Sequence, residues 1–212
     1  MNEFLKAMKF RHACKLFDEK KKIPKKDFNA ILEAGRLSPS SFGLEHWRFL
    51  AIENAKIKEA LKEAVLNQPQ TTTCSHLAIL LSRKAKFFKK GSEYVDKMFA
   101  KTAKDIKTLE MEKELFYGFL RNNLEADITN WSKMQTYIAA ANMMSAAAFL
   151  GIDSCPMEGF DAKELKKALI KNVPEFDKKS YKIALIIAFG YRVNEPEEKI
   201  RRSMEEIATF VK

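Results

Sequence analysis

The run YIAAANMMSAAAFLGI, from Tyr137 to Ile152, restricts the folds open to this chain more than any other stretch. It is too apolar for a surface helix and too short to span a bilayer, and Asn142 and Ser145 interrupt it, so it reads as a helix buried in protein. The pattern predicts one helix over Trp131–Leu150, closed by Gly151 after its last turn. Ala139, Ala140, Ala141, Ala146, Ala147 and Ala148 permit close packing on more than one side. A helix apolar nearly all round must be covered nearly all round, by a core or by a subunit interface.

The rest of the chain supplies helices and strands to cover it. HWRFLAIE, HLAILLS, DSCPM and YKIALIIAF read as strands, the last ended by Gly190. Residues 2–9 read as a short amphipathic helix with Phe4, Leu5 and Met8 on one face, and DFNAILEAGRL as a second helix before Pro39. Asn54 reads as the N-cap of AKIKEALKEAVL, and Asp161 with Glu164 as a capping box for AKELKKALI. Ser92 to about Asn130 is charged and mostly helical, with Val95, Met98, Phe99, Ile106 and Leu109 as its inner face. The C-terminal EPEEKIRRSMEEIATFVK is charged and starts beyond the core. A mixed helix–sheet protein results, with 1–212 as a single domain.

Composition narrows the setting. A hydrophobic fraction of 46% excludes disorder. Cys14, Cys74 and Cys155 are too few and too scattered for a disulfide framework, and no CxxC occurs. The N-terminus carries no secretion signal, so the cytoplasm is the expected location, with no membrane partner. The formal charge of +10 fits nucleic acid, an anionic membrane surface or a phosphorylated small molecule. The lysines are dispersed, however, and no zinc-finger spacing or RNP motif accompanies them, so most of the excess reads as solvated surface.

No self-contained catalytic motif is present: there is no GxGxxG, P-loop, GxSxG or HExxH. His12, His46 and His76 fall in different elements, which gives no metal-ligand spacing. Cys14, beside Lys15, reads as a buried inert thiol, and Trp47 as core. The stretch RLSPSSFGLEHWRFL is more informative, because Ser38, Ser40 and Ser41 surround Pro39 where a plain turn would have sufficed. Arg11 and Lys15 lie near one end of the chain, and Lys199, Arg201 and Arg202 near the other. If these ends met beside the serine loop, cations and hydroxyls would form a phosphate pocket.

In this order, the same pieces resemble the FMN-dependent nitroreductase family. RHACKLFD is similar to its opening RHSxKxFD, RLSPSSFGLEHWRF to SPSSxNxQPWxF, and GIDSCPMEGFD to GLDxxPxEGFD. IIAFGYR resembles its closing strand and KIRRS its terminal KxR. The likeness covers nearly the whole chain except about 83–125, and is nearest to the oxygen-insensitive NAD(P)H nitroreductases, including the type that activates nitroimidazole prodrugs.

The resemblance implies an α+β fold, with a central mostly antiparallel sheet flanked by helices, built as an intertwined homodimer with two FMN sites at the interface. It implies that Pro39, Ser40, Ser41 and Gly43 of one subunit reach FMN held mainly by the other, with the Trp131–Leu150 helix as dimer core. Arg11, Lys199 and Arg201 would bind the phosphate, and His12 and Ala13 would line the same segment. Lys15 would approach the flavin N1/O2 edge, Asn67 and Gln70 the polar side of the ring, and Pro156, Met157, Glu158 and Gly159 its N5. Lys15 and Glu158 are the implied catalytic pair. The implied reaction takes two electrons from NAD(P)H to nitro compounds, quinones or similar acceptors, in turns above one open flavin face.

Departures from the family pattern bear on rate and substrate. Ala13 stands for Ser, Gly43 for Asn, Glu45 for Gln and His46 for Pro, while Gln70 replaces a second flavin-edge lysine and so lowers the expected flavin potential. They motivate an alternative, a flavin-binding protein of the same fold with little turnover. The net charge motivates another, a basic nucleic-acid-binding protein.

Overall fold

The computed structural model describes residues 2–123 and 127–211. The chain runs through α1 (Glu3–Phe10), α2 (Lys25–Arg36), β1 (Trp47–Ile52), α3 (Ala55–Leu61), α4 (Gln70–Thr73), β2 (His76–Arg83), α5 (Glu93–Phe99) and α6 (Ile106–Asn123). It continues through α7 (Ile128–Phe149), β3 (Asp153–Met157), α8 (Ala162–Asn172), β4 (Tyr181–Gly190) and α9 (Met204–Ile207). The sheet has the order β1-β2-β4-β3 and every neighbouring pair is antiparallel.

The two central strands are apolar without alternation because both of their faces are covered. Leu77, Ile79 and Leu81 of β2, with Ile186 and Ala188 of β4, point to the side packed by Leu61 of α3 and by Leu165 and Leu169 of α8. Ala78 and Leu80, with Leu185, Ile187 and Phe189, point to the side packed by Phe28 and Ile31 of α2 and by Ala140, Met143 and Ala147 of α7. A register shift between Leu80 and Leu81 sets Ala184 on the same side as Leu185, as a bulge does.

Helices α2 and α7 approach closely because α2 presents Gly35 at the crossing. A Cβ built there would lie 2.8 Å from Met143 Cγ and 2.9 Å from a ring carbon of Phe49. Gly151, at φ +69, ends α7 as its sequence position requires. Asn54 caps α3 by accepting from the Lys56 and Ile57 amides, and Asp161 caps α8 by accepting from those of Lys163 and Glu164. Glu164 does not complete the expected box; its carboxylate pairs with Lys167 at 2.8 Å. The reciprocal arrangement forms instead at α9, between Ser203 and Glu206.

Two further expectations are corrected. The helix expected over 55–66 stops at Leu61 and tightens to a 3-10 turn over Glu63–Val65, after which Leu66 and Asn67 take positive φ. In the charged region Ile106 is 72% exposed, because it opens α6 at the helix end; Phe116 and Leu120 are buried instead, in an aromatic cluster with Phe88, Phe99 and Trp131. Residues 124–126 of that region lie outside the described residues. Within the chain α7 packs against α1, α2 and the sheet, and it leaves Met134 and Phe149 56% and 52% exposed.

Candidate functional site

The N-terminal motif is laid against β3. Ala13 bridges Ser154 in parallel, Phe17 bridges Arg192, and the Cys14 amide donates to the Ser154 carbonyl at 3.1 Å. The same contacts draw in the C-terminal segment. The Lys199 ammonium donates to the carbonyls of Met8 and, at 2.9 Å, of Lys9. Burial lowers the Lys199 pKa, and the nearby charges of Arg11, Arg201 and Arg192 lower it further. Cations from the two ends of the chain are therefore neighbours.

Among the described residues no ion pair offsets the charge of Arg11, Lys199 or Arg201. Arg192 is matched by Asp153, a 2% exposed carboxylate whose oxygens accept from the Arg192 amide and guanidinium at 2.9 Å, and also by Glu195. No salt bridge among the described residues involves Arg11, Lys15, Lys199 or Arg201. His12 lies 3.5 Å from Asp153. Burial and the Arg192 charge hold its pKa below the ordinary value, although Asp153 opposes them. A cavity of about 420 Å³ opens here, lined by His12, Ala13, Lys15, Asn194 and Glu197 among others.

Next to this surface the structure gathers several residues around one thiol. Lys15 Nζ lies 3.6 Å from Cys155 Sγ, and Gln70 Nε2 lies 3.8 Å from the same sulfur. Burial raises the Cys155 pKa against the opposing charge of Lys15, so the group is a neutral thiol at neutral pH. A neutral thiol is a weak acceptor and occupies at most one of the three donors of the ammonium. Gln70 is buried and also donates to Gln68 at 2.9 Å, while Gln68 donates to the Gly159 carbonyl at 2.7 Å. Asn67 stands exposed one residue away from Gln68, in the left-handed conformation that Asn tolerates.

At the end of β3, the exposed Glu158 carboxylate accepts from the Tyr137 hydroxyl and lies 3.5 Å from Lys133 Nζ, both on α7. These partners, Tyr137 first, hold the Glu158 carboxyl below its ordinary pKa. The carboxylate is ionised and committed, which leaves the backbone of Glu158–Gly159 as the part fixed in place. Cys14 is buried and its pKa is pushed up to about 11, mainly by burial, which makes it inert.

The serine loop lies elsewhere. Ser41 donates its amide to Gln135 near the start of α7 at 2.9 Å, and Ser40 Oγ accepts from the Glu45 amide. Pro39 and Gly43 are exposed beside them. The N-terminal cations belong with the start of β3, which follows the far end of α7; Gln135 and Phe149 are about 21 Å apart along that helix at its usual rise. One chain therefore unites Arg11 and Arg201 around Lys199, and separately Lys15 and Gln70 around Cys155; Ser41 meets α7 at Gln135, on the turns that also hold Glu158, and away from the end of α7 where the cations lie. The sequence reading missed Cys155, Gln68, Tyr137 and Arg192. Only Arg192 had a signal, an aspartate inside a predicted strand, which requires a cationic partner once the strand is buried.

The chain matches a known family. The model described as Nitroreductase family matches residues 8–191. A provisionally named NAD(P)H nitroreductase of Staphylococcus haemolyticus is 42% identical over 98% of this chain and 96% of its own length. The provisionally named NAD(P)H nitroreductase YfkO of Bacillus subtilis is 38% identical over 99% of this chain and 97% of its own. Among solved structures, a nitroreductase-like protein of Streptococcus mutans superposes with a TM-score of 0.85 at 21% identity, over all of both chains. A provisionally named nitroreductase of Exiguobacterium sibiricum, solved in complex with FMN, gives 0.78 at 20% identity, over 100% of this chain and 98% of the other. The solved structures share the fold; the family model and the relatives near 40% identity carry the assignment, and this chain belongs to the nitroreductase family of oxidoreductases.

Proposed function

We propose that the chain is a cytoplasmic, single-domain FMN oxidoreductase, working as a homodimer, that carries two electrons from NAD(P)H to nitro compounds, quinones or similar electron-poor acceptors. One observation carries the reading: Lys199 is bonded to the end of α1, both Arg11 and Arg201 lie close enough to lower its pKa, and none of the three enters a salt bridge among the described residues. Such a surplus fits a phosphate dianion, and charge-assisted bonds to it are the strong ones. The names of the relatives support NAD(P)H as reductant, and the FMN complex of a fold neighbour supports the cofactor.

FMN, when bound, supplies hydride acceptance and electron delivery. The remaining work falls to side chains. Arg11, Lys199 and Arg201 would hold the phosphate. Lys15, tied only to a weak thiol acceptor, keeps donors free to favour negative charge at the pyrimidine edge of a flavin. Gln70 adds polarity there but no charge. Tyr137 and Lys133 fix the Glu158 carboxylate, so Glu158 acts by holding the Glu158–Gly159 backbone rather than by giving up a proton. NAD(P)H and the acceptor would take turns at a single open face.

The dimer is supported by the apolar side chains that one chain leaves uncovered: Met134, Ile138 and Phe149 on α7 with Leu150 just after it, Phe4 and Leu5 on α1, and Ile200, Phe210 and Val211 beyond β4. It is also supported by the distance of Ser40 and Ser41 from the cations of their own chain, since a second copy can donate them.

The test is Arg201→Glu, which reverses one phosphate contact. FMN affinity is expected to fall about ten- to hundredfold, the worth of one charged hydrogen bond. Unchanged flavin retention at low ionic strength would refute the assignment. A second reading, a flavin-binding protein of low turnover, is favoured by the buried, uncharged Gln70 at the flavin edge. Stopped-flow bleaching of the flavin by NADH or NADPH separates the two.

A further inference from the structure

One cavity has no part in the proposed redox site. It holds about 270 Å³ and is lined by Lys84, Lys166, Phe176, Tyr181, Lys182 and Ile183, where the end of β2, the start of β4 and the first turns of α8 meet. Its position on the sheet separates it from the cation cluster. Lys182 lies at the opening of β4, whereas Ala188, opposite Cys155, lies about 20 Å further along the strand.

The floor of this cavity is apolar and already built. Phe176 and Tyr181 are each 7% exposed, and Ile183 packs against the core. The rim is cationic. Lys84, Lys166 and Lys182 reach it, with Lys86 close by, and none of the four enters a salt bridge among the described residues. Lys84 donates to the Lys178 carbonyl at 2.6 Å, and partial burial, followed by the charges of Lys166, Lys86 and Lys182, pushes its pKa down. Asp177 opposes that effect. Its carboxylate, however, is occupied by the amides of Lys179 and Ser180, and Arg48 also faces it. Arg83 adds a further cation beside the floor, on the Tyr181 hydroxyl and 4.6 Å over its ring; like charges held over a largely apolar floor destabilise one another, and an anion with an apolar body relieves both the repulsion and the exposure.

The geometry points to a binding site, separate from the redox centre, for a small organic anion: one carboxylate-type head seated among Lys84, Lys166 and Lys182, with a flat apolar body over Phe176, Tyr181 and Ile183. This chemistry is that of an aromatic acid, and it excludes a strongly hydrated inorganic ion, which gains nothing from the floor.

Benzoate is the probe, added to the full-length, flavin-loaded, nitrogen-15-labelled protein at constant ionic strength. Saturable amide shifts are expected at Lys84, Phe176, Lys182 and Ile183. Benzamide, the neutral counterpart, should bind there about tenfold more weakly or worse, and so should benzoate to the Lys166→Glu/Lys182→Glu protein. Both lysines are exposed, so that variant keeps its fold, which its otherwise unchanged spectrum will verify. The proposal is overturned if no saturable shift appears at these residues, if benzamide binds equally well, if chloride alone produces the same shifts, or if the double variant binds benzoate undiminished. Loss of flavin from the Arg201→Glu protein leaves this outcome unaffected, so the two readings fail separately.

Discussion

Acid should destabilise this protein through one residue more than any other, His46. Its ring is fully buried, stacked on Phe88 at 4.8 Å and edge-on to Trp131 at 4.4 Å. Among the described residues neither ring nitrogen has a hydrogen-bond partner, although the nearby Ser41 backbone favours the charged form. Burial, helped by Arg83, pushes the pKa down to about 3. The unfolded chain takes up this proton near pH 6.5, so between the two values it binds more protons than the native state does. Stability from His46 is therefore complete above pH 6.5 and is lost as the pH falls towards 3. The slope is about 1.4 kcal/mol per pH unit, and the whole loss about 5 kcal/mol. His46→Phe keeps an aromatic ring in the stack and removes the proton site. Urea unfolding of both proteins at one protein concentration, from pH 8 to pH 4.5, measures the difference. The parent should lose about 2 to 3 kcal/mol more than the variant across that range, while at pH 8 the two agree within about 1 kcal/mol. Parallel curves would refute the reasoning, for they would mean that the folded protein accepts a proton at His46 as readily as the unfolded chain.

Two further outcomes follow from contacts described above. Gly35→Ala should gain about 1 kcal/mol in helix propensity but lose about 1–3 kcal/mol to overpacking against Met143 and the Phe49 ring, for a net loss of stability in urea unfolding; a stabilised variant would show that α2 and α7 can move apart freely. Tyr137→Phe removes the hydroxyl that holds the Glu158 pKa down, so the Glu158 carboxyl titration, followed by carbon-13 NMR, should shift to higher pH. An unmoved midpoint would assign the depression to Lys133 alone.

Much of the fold could be read from the sequence because its strongest signals are local. HLAILLS is too short and too apolar for a surface helix and YKIALIIAF is rich in isoleucine, so both read as buried strands, and they became β2 and β4. Asn54 and Asp161 cap helices through bonds that span two or three residues. What failed was equally local in cause but tertiary in outcome. Lys62 to Asn67 continues the helical pattern of α3, yet the turn tightens there, and the Ala64 carbonyl accepts the Asp161 amide at 2.9 Å. Glu164 fits a capping box by spacing, but Lys167 is on the same helical face and competes for its carboxylate. The aromatic cluster of Phe88, Phe116 and Trp131 joins three segments whose meeting no periodicity encodes.

The candidate site is harder to read for a reason that lies in charge pairing. In sequence, Arg11, Arg192, Lys199 and Arg201 are equivalent cations. The fold makes them unequal. Asp153 is buried in β3, and a buried carboxylate is tolerated only with a close partner; the register that sets Asp153 opposite Gly190 brings Arg192 to it. Arg192 is thereby consumed, and its guanidinium also lies 4.2 Å over the Phe10 ring, which holds the end of α1 and hence Arg11 nearby. The cations that remain are free because this one is not. The charge balance of this surface thus depends on an acid inside the sheet, and a single neutral replacement, Asp153→Asn, would leave Arg192 only its exposed partner Glu195 and redistribute the charge of the whole cluster.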